Sequence, residues 1–381
     1  MNRVKFGDVV QEIKINVDRS TDDHEYFIAG EHMDSSNIHI TRRGRFSESD
    51  VGPAFTRLFR PGQVLYGSRR TYLRKVAVAD FEGITSNTTF VLETKDSNRL
   101  LQELLPYIML TDRFSEYAIN NSKGSTNPYI LFKDLAAYEF DLPTIEEQRQ
   151  LVVLLSACDR AKEAYKRLLK QTDEVVKSQF IEMFGDPETN PLDWPTMRLD
   201  SIITNSNNGI TRRGNDPDGS IVLRIVELQD GYIDYSNVNR ILVNDKEKKS
   251  LLVDNDLLFV RVNGNPDYVA RSAVFSDIGE PVYHNDHIIR VHIDDTKAVV
   301  GFIRGFTTTD FGKKQLKDHV KTSAGQYSIS QDGIGSIQIC LPPIEAQKHY
   351  VSFVEQSDKS KFELTQAISR IDDMIKALMQ G

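Results

Sequence analysis

The chain carries one sequence pattern twice. The run Leu-Pro-Thr-Ile-Glu-Glu-Gln at residues 142–148 returns as Leu-Pro-Pro-Ile-Glu-Ala-Gln at residues 341–347, at an offset of 199 residues. Each copy precedes over thirty residues that lack Gly and Pro and place apolar side chains every three or four positions. This spacing is typical of a long amphipathic helix. The repeat therefore predicts the order globular region, long helix, globular region, long helix.

Length and composition indicate a globular protein with more than one domain. The 381 residues exceed the size of one ordinary core, and 27% of them are charged. No run of about 18 apolar residues is present, and residues 1–10 lack the apolar core of a signal peptide. We therefore expect no membrane contact. Cys158 and Cys340 are isolated and form no metal-binding spacing, which fits a reducing, cytoplasmic setting.

The two globular regions have the short β-rich runs and turns of mixed α/β domains. A helix is predicted over residues 100–117, and the predicted strands lie at residues 64–66, 75–79, 89–92, 222–225, 257–260 and 287–291. The first long helix has Thr144 as a cap, Glu147 at the capping-box spacing, and Gly185 at its end.

The apolar faces of the two long helices need partners. We expect the helices to pack against each other antiparallel, as a coiled coil, with a pseudo-two-fold relation between the two halves. The predicted fold class is α+β: two mixed α/β globular domains joined by two long antiparallel helices. The predicted boundaries are 1–141 for the first head, 142–189 for the first long helix, 190–340 for the second head and 341–381 for the second long helix.

Motifs for catalysis are sparse. The sequence contains neither a phosphate-binding Gly-Lys-Ser/Thr loop nor a Gly-x-Gly-x-x-Gly run after a strand. An enzyme alternative is a nuclease that uses Asp80, Glu93 and Lys95. A Glu-x-Lys triplet is common by chance, however, and the second half does not repeat it. We therefore expect no catalytic and no metal-binding residues in this chain.

Positive charge is concentrated locally, although the net charge is −8. Between Arg42 and Lys75 there are nine Lys or Arg residues and two Asp or Glu residues. Arginine binds phosphate and can bind guanine bidentately, which favours DNA contact. The candidate DNA-binding residues of the first head are Arg42, Arg43, Arg45, Arg69, Arg70, Arg74 and Lys75.

The second head has a similar local pattern, with Arg and Asn on Gly-containing loops. Its candidate DNA-binding residues are Arg212, Arg213, Arg261, Asn263, Asn265, Lys313 and Lys317. Asparagine is the usual partner of adenine, and a predicted helix face of Lys313, Lys314, Lys317 and Lys321 suits phosphate. The alternative is a scaffold with two protein-binding heads, whose arginines are merely solvated.

Together these features resemble the DNA-specificity (S) subunits of type I restriction–modification systems. The resemblance rests on the doubled helix-start motif and on the starts of the heads, Phe-Gly-Asp-Val-Val at 6–10 and Trp-Pro-x-x-Arg-Leu at 194–199. It also rests on Ser-Ala-Gly-Gln-Tyr at 323–327. The chain departs from the pattern at 125–129, where a Gly-Gln pair would be typical, and at Ala346, where the first copy has Glu147.

The resemblance implies a prokaryotic, non-catalytic subunit that recognises double-stranded DNA. Each head would be a target recognition domain that reads one half of a bipartite sequence. The long helices would hold the heads apart and bind two methyltransferase (M) subunits, with motor–nuclease (R) subunits completing a restriction complex. S-adenosylmethionine, ATP and Mg would be bound by those partners, so no cofactor is expected in this chain.

Overall fold

A computed structural model describes residues 2–18, 23–323 and 325–380 of the chain. They form two compact units, one of Met1–Lys166 with Gln366–Gly381 and the other of Arg167–Thr365. Each unit contains one head and a part of both long helices. The domain boundaries at residues 141, 189 and 340 follow the sequence motifs instead and stay a prediction, and their outermost residues, Met1 and Gly381, lie outside the described ranges.

Among its described residues, the first unit contains two four-stranded sheets and one two-stranded sheet. Their strands are β1 Asn2–Lys5, β2 Val10–Glu12, β3 Tyr26–Ile28, β4 Gly44–Arg45, β5 Phe55–Phe59, β6 Val64–Gly67, β7 Val76–Val78, β8 Gly83–Ser86, β9 Thr89–Thr94 and β10 Glu139–Leu142. The order is β2-β9-β6-β7 in the antiparallel sheet and β4-β3-β8-β5 in the mixed sheet, where β3 and β8 are parallel. Strand β1 pairs with β10, which closes the head just before the long helix.

Short helices cover the antiparallel sheet of the first unit. They are α1 Phe6–Val9, α2 Leu105–Met109, α3 Asp112–Asn120 and α4 Phe132–Ala136. The single helix predicted over residues 100–117 is wrong, because Thr111 has an extended backbone and its side chain accepts a hydrogen bond from the Phe114 N–H at 3.3 Å. Thr111 therefore caps a second helix inside a continuous apolar pattern.

The first long helix, α5, spans Ile145–Phe184 and begins as predicted. The Thr144 N–H donates to Glu147 Oε2 at 2.7 Å, and the Glu147 N–H donates to Thr144 Oγ1 at 3.4 Å. This reciprocal pair satisfies two N–H groups that a helix start leaves unpaired. The helix ends at Gly185, whose φ of +75° favours glycine.

The head of the second unit is built from twelve strands among the described residues. They are β11 Thr196–Arg198, β12 Ile203–Asn208, β13 Ser220–Leu223, β14 Arg240–Ile241, β15 Leu257–Val260, β16 Val262–Asn263, β17 Ser272–Val274, β18 Val282–His284, β19 Ile288–Ile293, β20 Lys321–Ser323, β21 Gln326–Ser328 and β22 Gln338–Cys340. The helices are α6 Val300–Thr308, α7 Asp310–Asp318, α8 Gln331–Gly335 and the second long helix, α9 Ile344–Gln380.

The two heads share a topology. The antiparallel sheet β12-β19-β15-β17 follows the same order as β2-β9-β6-β7. The parallel pair β13 and β18 corresponds to β3 and β8, and β11 with β22 corresponds to β1 with β10. The repeat that the helix-start motifs predict therefore extends through the folded heads.

The last residue of each helix-start motif is a fully buried glutamine. Gln148 Oε1 accepts from the Leu101 N–H at 3.0 Å, and its Nε2 donates to the carbonyls of Arg99 and Pro143. Gln347 Oε1 accepts from the Val299 N–H at 2.9 Å, and its Nε2 donates to the Pro342 carbonyl. In both units the glutamine thus fastens the start of a long helix to the backbone of the head.

Each unit also contains contacts between its parts of the two long helices. In the first unit Lys162 forms an ion pair with Asp372 at 2.5 Å, and Leu155, fully buried, belongs to a core that includes Ile375 and Leu378. In the second unit Lys361 pairs with Asp173 at 3.2 Å, and the rings of Phe180 and Tyr350 lie 5.3 Å apart. Within each unit, the partners in α9 lie nearer the start of α9 as α5 proceeds toward its C-terminus.

Glycines in α6 bring the second head close to α9. A side chain at Gly305 would meet the Tyr350 ring at 2.6 Å, and one at Gly301 would meet Val351 at 2.9 Å. The resulting core is rich in aromatic rings, with Phe302 stacked on Phe180 at 5.5 Å. Burial of such rings is a large apolar contribution to the stability of the unit.

Candidate nucleic-acid interface

The basic cluster around β4 is largely paired with its own neighbours. Arg42 Nη2 lies 2.6 Å from Asp34 Oδ1, and Arg45 Nη2 donates to the Tyr26 hydroxyl at 3.1 Å. The Arg43 guanidinium lies 4.0 Å from the centre of the Tyr26 ring. All three arginines remain exposed, so they can still face an anion. Gly44 is required for packing, because a side chain there would meet the Phe27 ring at 2.2 Å.

Arg69 and Arg70 are exposed and follow β6 after one residue, Ser68. The backbone of Arg69 bridges to Tyr129, and the Arg70 N–H donates to the Pro128 carbonyl at 2.6 Å. Tyr129 also bridges to Lys123, which brings a further cation to this loop. Neither the Arg69 nor the Arg70 guanidinium has a hydrogen bond or ion pair within residues 2–18, 23–323 and 325–380. These two are thus the least neutralised cations of the predicted set in this head.

Arg74 and Lys75 are held more firmly. Arg74 donates to Asp112 Oδ1 at 2.9 Å and to the Leu110 carbonyl, and its side chain is 30% exposed. Hydrogen bonds from Lys376 and Arg74 lower the pKa of Asp112. This geometry gives Arg74 a structural role in the head, and its predicted DNA contact has no support from its position.

Lys75 donates to the Gly30 carbonyl and is half-buried. Its pKa is lowered, first by burial and then by the positive charges of Arg70 and Arg42. The positive charges of these two arginines, which come from two separate loops, therefore act on Lys75.

In the second head, Arg213 and Arg261 meet at one turn. Arg213 Nη2 forms an ion pair with Asp286 Oδ1 at 2.8 Å, and Arg261 Nη1 donates to the Asp286 carbonyl at 2.8 Å. Arg212 faces a different partner, Glu247, with two hydrogen bonds of 3.1 and 3.0 Å that lower the pKa of this carboxyl. The sequence could not show that residues 213 and 261 are neighbours.

Asn263, Asn265 and Lys317 form a second group. Asn263 Oδ1 accepts from the Asn265 N–H at 2.9 Å, and Asn265 Oδ1 accepts from the Asp267 N–H at 3.0 Å. Lys317 reaches the same Asp267 at 3.1 Å. The side-chain oxygens of both asparagines therefore bind backbone N–H groups of the loop and hold its conformation.

The predicted basic helix face is only partly correct. Lys313 and Lys317 are exposed on α7, but Lys314 forms an ion pair with Glu188 at 2.8 Å. Lys321 is not helical, since α7 ends at Asp318 and Lys321 begins strand β20. Lys313 has no side-chain partner in the portion of the chain that is described.

Lys321 instead lies beside Arg261. The two line a cavity of about 430 Å³ together with Asn208 and Gln331. Gln331 Nε2 donates to Asn208 Oδ1 at 3.2 Å. Motif inspection missed Asn208 and Gln331, because their relation to Arg261 depends on β16 pairing with the β20–β21 hairpin. The hairpin tip includes the Ser-Ala-Gly-Gln-Tyr motif, whose Ala324 lies outside the described residues.

Two of the three residues of the nuclease alternative, Glu93 and Lys95, have structural partners. Glu93 accepts a hydrogen bond from Gln63 at 2.7 Å, and Lys95 donates to the Gly7 carbonyl. Within the described ranges, no three His, Cys, Asp or Glu side chains are grouped as a metal site. Among the same residues no helix combines the length and apolarity needed to cross a membrane.

Comparison with known proteins gives curated relatives that are specificity subunits. The StySPI type I restriction enzyme specificity subunit of Salmonella potsdam is 26% identical over 257 residues, which is 62% of this chain. The EcoKI specificity subunit of Escherichia coli K12 is 24% identical over the same length. This chain spans 55% of the length of each relative.

Solved structures support the fold. The type I restriction–modification S subunit from M. genitalium matches with a TM-score of 0.54 at 13% identity, over 99% of this chain and 94% of that chain. A chain from a study of complex assembly and conformational transition of the type I R-M system matches with a TM-score of 0.52 at 15% identity, covering 100% and 96%. At these identities the likeness concerns the fold alone.

The family assignment rests on two matches within one chain. The family model of the type I restriction modification DNA specificity domain matches residues 20–172 and again residues 191–371. The two matched ranges each cover most of one head and most of one long helix, in agreement with the repeated topology. This chain belongs to the type I restriction–modification DNA specificity domain family.

Proposed function

We propose that this chain is the DNA-specificity subunit of a type I restriction–modification complex. The observation that carries the proposal is the duplicated head: one specificity-domain family matches twice, and both heads share one topology with basic loops. Each head reads one half of a bipartite double-stranded DNA target. The chain itself is non-catalytic, and S-adenosylmethionine, ATP and Mg are bound by its methyltransferase and motor–nuclease partners.

We infer further that α5 and α9 pair as an antiparallel coiled coil with a pseudo-two-fold relation between the halves. The support is the direction of the contacts within each unit. From Cys158 to Lys162 in α5 the partner in α9 moves back from Met374 to Asp372, and from Asp173 to Phe180 it moves back from Lys361 to Tyr350. Apolar side chains such as Val153, Leu154 and Phe362 remain at least half exposed on these helices. Exposed apolar residues on a helix suit a protein partner, and we assign this role to two methyltransferase subunits.

The first test separates the proposal from an enzyme and from a scaffold. The purified chain alone should neither methylate nor cut DNA when S-adenosylmethionine, ATP and Mg are supplied. With its methyltransferase partner it should shift and methylate duplex DNA that carries the target. Methyl transfer or cleavage by the chain alone would contradict the adaptor function. A complex that assembles but binds no DNA would favour the scaffold.

A second test concerns Arg69 and Arg70, the least neutralised cations of the first head. Arg69→Ala and Arg70→Ala should each weaken binding to target DNA. Loss of an arginine that reads a base edge should cost about 1–3 kcal/mol of binding free energy on the target and little on random DNA. Loss of an arginine that binds phosphate should weaken binding to both DNAs alike and lower the slope of log affinity against log salt by about one unit.

The matched control is Arg74→Lys, since Arg74 is held by Asp112 and Leu110 and should not contribute directly to DNA binding. Affinities are measured by fluorescence anisotropy across a salt series with the assembled complex. Unchanged affinity of both alanine variants for both DNAs at low salt would place the DNA surface of the first head elsewhere.

A further inference from the structure

Each head exposes a tyrosine at the same point of its antiparallel sheet. Tyr72 lies in a 3-10 turn, Thr71–Leu73, between β6 and β7. Tyr268 lies in a 3-10 turn, Pro266–Tyr268, in the connection from β15 to β17. Both tyrosines stand four residues before the next strand, which begins at Val76 in one head and Ser272 in the other. They are 52% and 44% exposed.

The backbone after the two tyrosines is similar, although Tyr72 is the middle residue of its turn and Tyr268 the last residue of its own. Arg74, two residues after Tyr72, has a φ of +49°, and Ala270, two residues after Tyr268, has a φ of +63°. Neither is glycine, so each head accepts an unfavourable left-handed residue at the same distance from its tyrosine. Such strain persists only where the surrounding structure enforces it, and it is frequent at binding sites.

The side chains around the tyrosines differ between the heads. Tyr72 follows Arg69 and Arg70, whose guanidinium groups are unpaired within the described ranges. Tyr268 follows Asn263 and Asn265, and the Arg271 guanidinium lies 4.2 Å from its ring centre. The loops therefore share the exposed aromatic ring and a nearby arginine, while the residues suited to base-edge recognition are different.

One exposed tyrosine on a soluble protein needs no explanation. Two equivalent ones, on loops that otherwise diverge, indicate a task common to both heads. In duplex DNA the faces of the bases are stacked on one another, so an aromatic ring in a groove meets base edges and thymine methyl groups, and it does so where the rest of the head is seated on its half-site. Neighbouring arginines supply the positive charge that such a contact with DNA requires.

We propose that Tyr72 and Tyr268 are equivalent DNA-contacting residues, one in each head. The ring of each packs against base edges of the half-site that its head reads, and the flanking Arg or Asn side chains distinguish those bases. The inference rests on the proposed function, because it assumes that each head binds one half-site. It adds a specific ligand contact at two positions that charge patterns do not reveal.

The experiment uses the full chain assembled with its methyltransferase partner and four unmethylated DNAs. They are the target sequence, as identified by mapping methylated adenines, two versions with the first or the second half-site scrambled, and random DNA. Tyr72→Ala and Tyr268→Ala should each bind the target about 5- to 100-fold more weakly than the unmodified complex, about the loss that one mismatched base pair causes. Tyr72→Phe and Tyr268→Phe should stay within about twofold, because the ring is kept.

Half-site dependence gives the sharper readout. The loss for Tyr72→Ala should disappear on DNA whose first half-site is scrambled, and the loss for Tyr268→Ala on DNA whose second half-site is scrambled. Ile15→Ala and Ile278→Ala are the controls, since these side chains are 40% and 44% exposed, and Ile278 lies beyond the opposite end of β17. Both controls should bind as the unmodified complex does.

Three results would overturn the inference. Alanine variants that bind the target like the unmodified complex would show that the rings do not touch DNA. A loss that persists equally on scrambled half-sites would show that the contact is not tied to one half-site. Reduced assembly with the methyltransferase, seen by size-exclusion chromatography, would assign the rings to a protein partner. If the unmodified complex itself does not distinguish target from random DNA, the proposed function fails as well.

Discussion

Replacing residues 1–141 with the first head of another family member should change one half of the methylated DNA sequence and leave the other half unchanged. The structure favours such an exchange, because β1 pairs with β10 and closes the head before α5 begins. The buried Gln148 holds the head through main-chain groups of Leu101 and Arg99, which a foreign head also offers. The effect is the largest expected here, a complete change of one half-site.

The readout is a genome-wide map of methylated adenines in cells that express the chimera with its methyltransferase. Exchange of residues 190–340 is the matched control and should change only the other half. Side-chain contacts that the foreign head can lose, such as the 2.7 Å hydrogen bond between His39 and Asp159, are the ones to restore if the chimera is unstable. A change in both halves, or in neither, would show that the heads do not read independently.

Substitution of the buried glutamines should have the largest effect on stability. Gln148→Ala removes three hydrogen bonds to main-chain groups, and Gln347→Ala removes two. A buried N–H or carbonyl without a partner costs about 1–3 kcal/mol, and relaxation recovers part of it. We expect a loss of about 2–4 kcal/mol in the free energy of unfolding for Gln148→Ala and somewhat less for Gln347→Ala.

Urea unfolding measures the loss. Gln150→Ala and Gln356→Ala are matched controls, because these glutamines are exposed on the same two helices and should change stability by under about 0.5 kcal/mol. Gln148→Glu keeps the volume and an acceptor but cannot donate to the Arg99 and Pro143 carbonyls, so it should lie close to the alanine variant. If Gln148→Ala and Gln347→Ala were as stable as the controls, these glutamines would not fasten the heads to the helices.

The repeat and the long helices were predictable because they depend on local signals. The start of α5 at Thr144 and its end at Gly185 follow from capping and from the backbone preference of glycine, which act within a few residues. The predicted helix over residues 100–117 was wrong for a similarly local reason. Thr111 competes as a cap within an apolar pattern that continues on both sides.

The binding surface was less accessible to sequence reasoning, because its geometry depends on contacts between distant segments. Arg213 and Arg261 come together through the Asp286 turn, and Lys321 joins Arg261 because β16 and β20 both pair with β21. The equivalence of Tyr72 and Tyr268 was hidden by a different offset. These two residues are 196 apart, whereas the helix-start motifs are 199 apart, so loop lengths differ between the heads.

On the proposed function, this chain alone decides which DNA sequence its complex recognises, with one head for each half. The most direct measurement is the map of methylated adenines in one host that carries the methyltransferase with and without this chain. We predict one bipartite motif, with two specified halves and an unspecified spacer, that disappears entirely when the chain is absent. A single uninterrupted motif, or methylation that persists without the chain, would contradict the account.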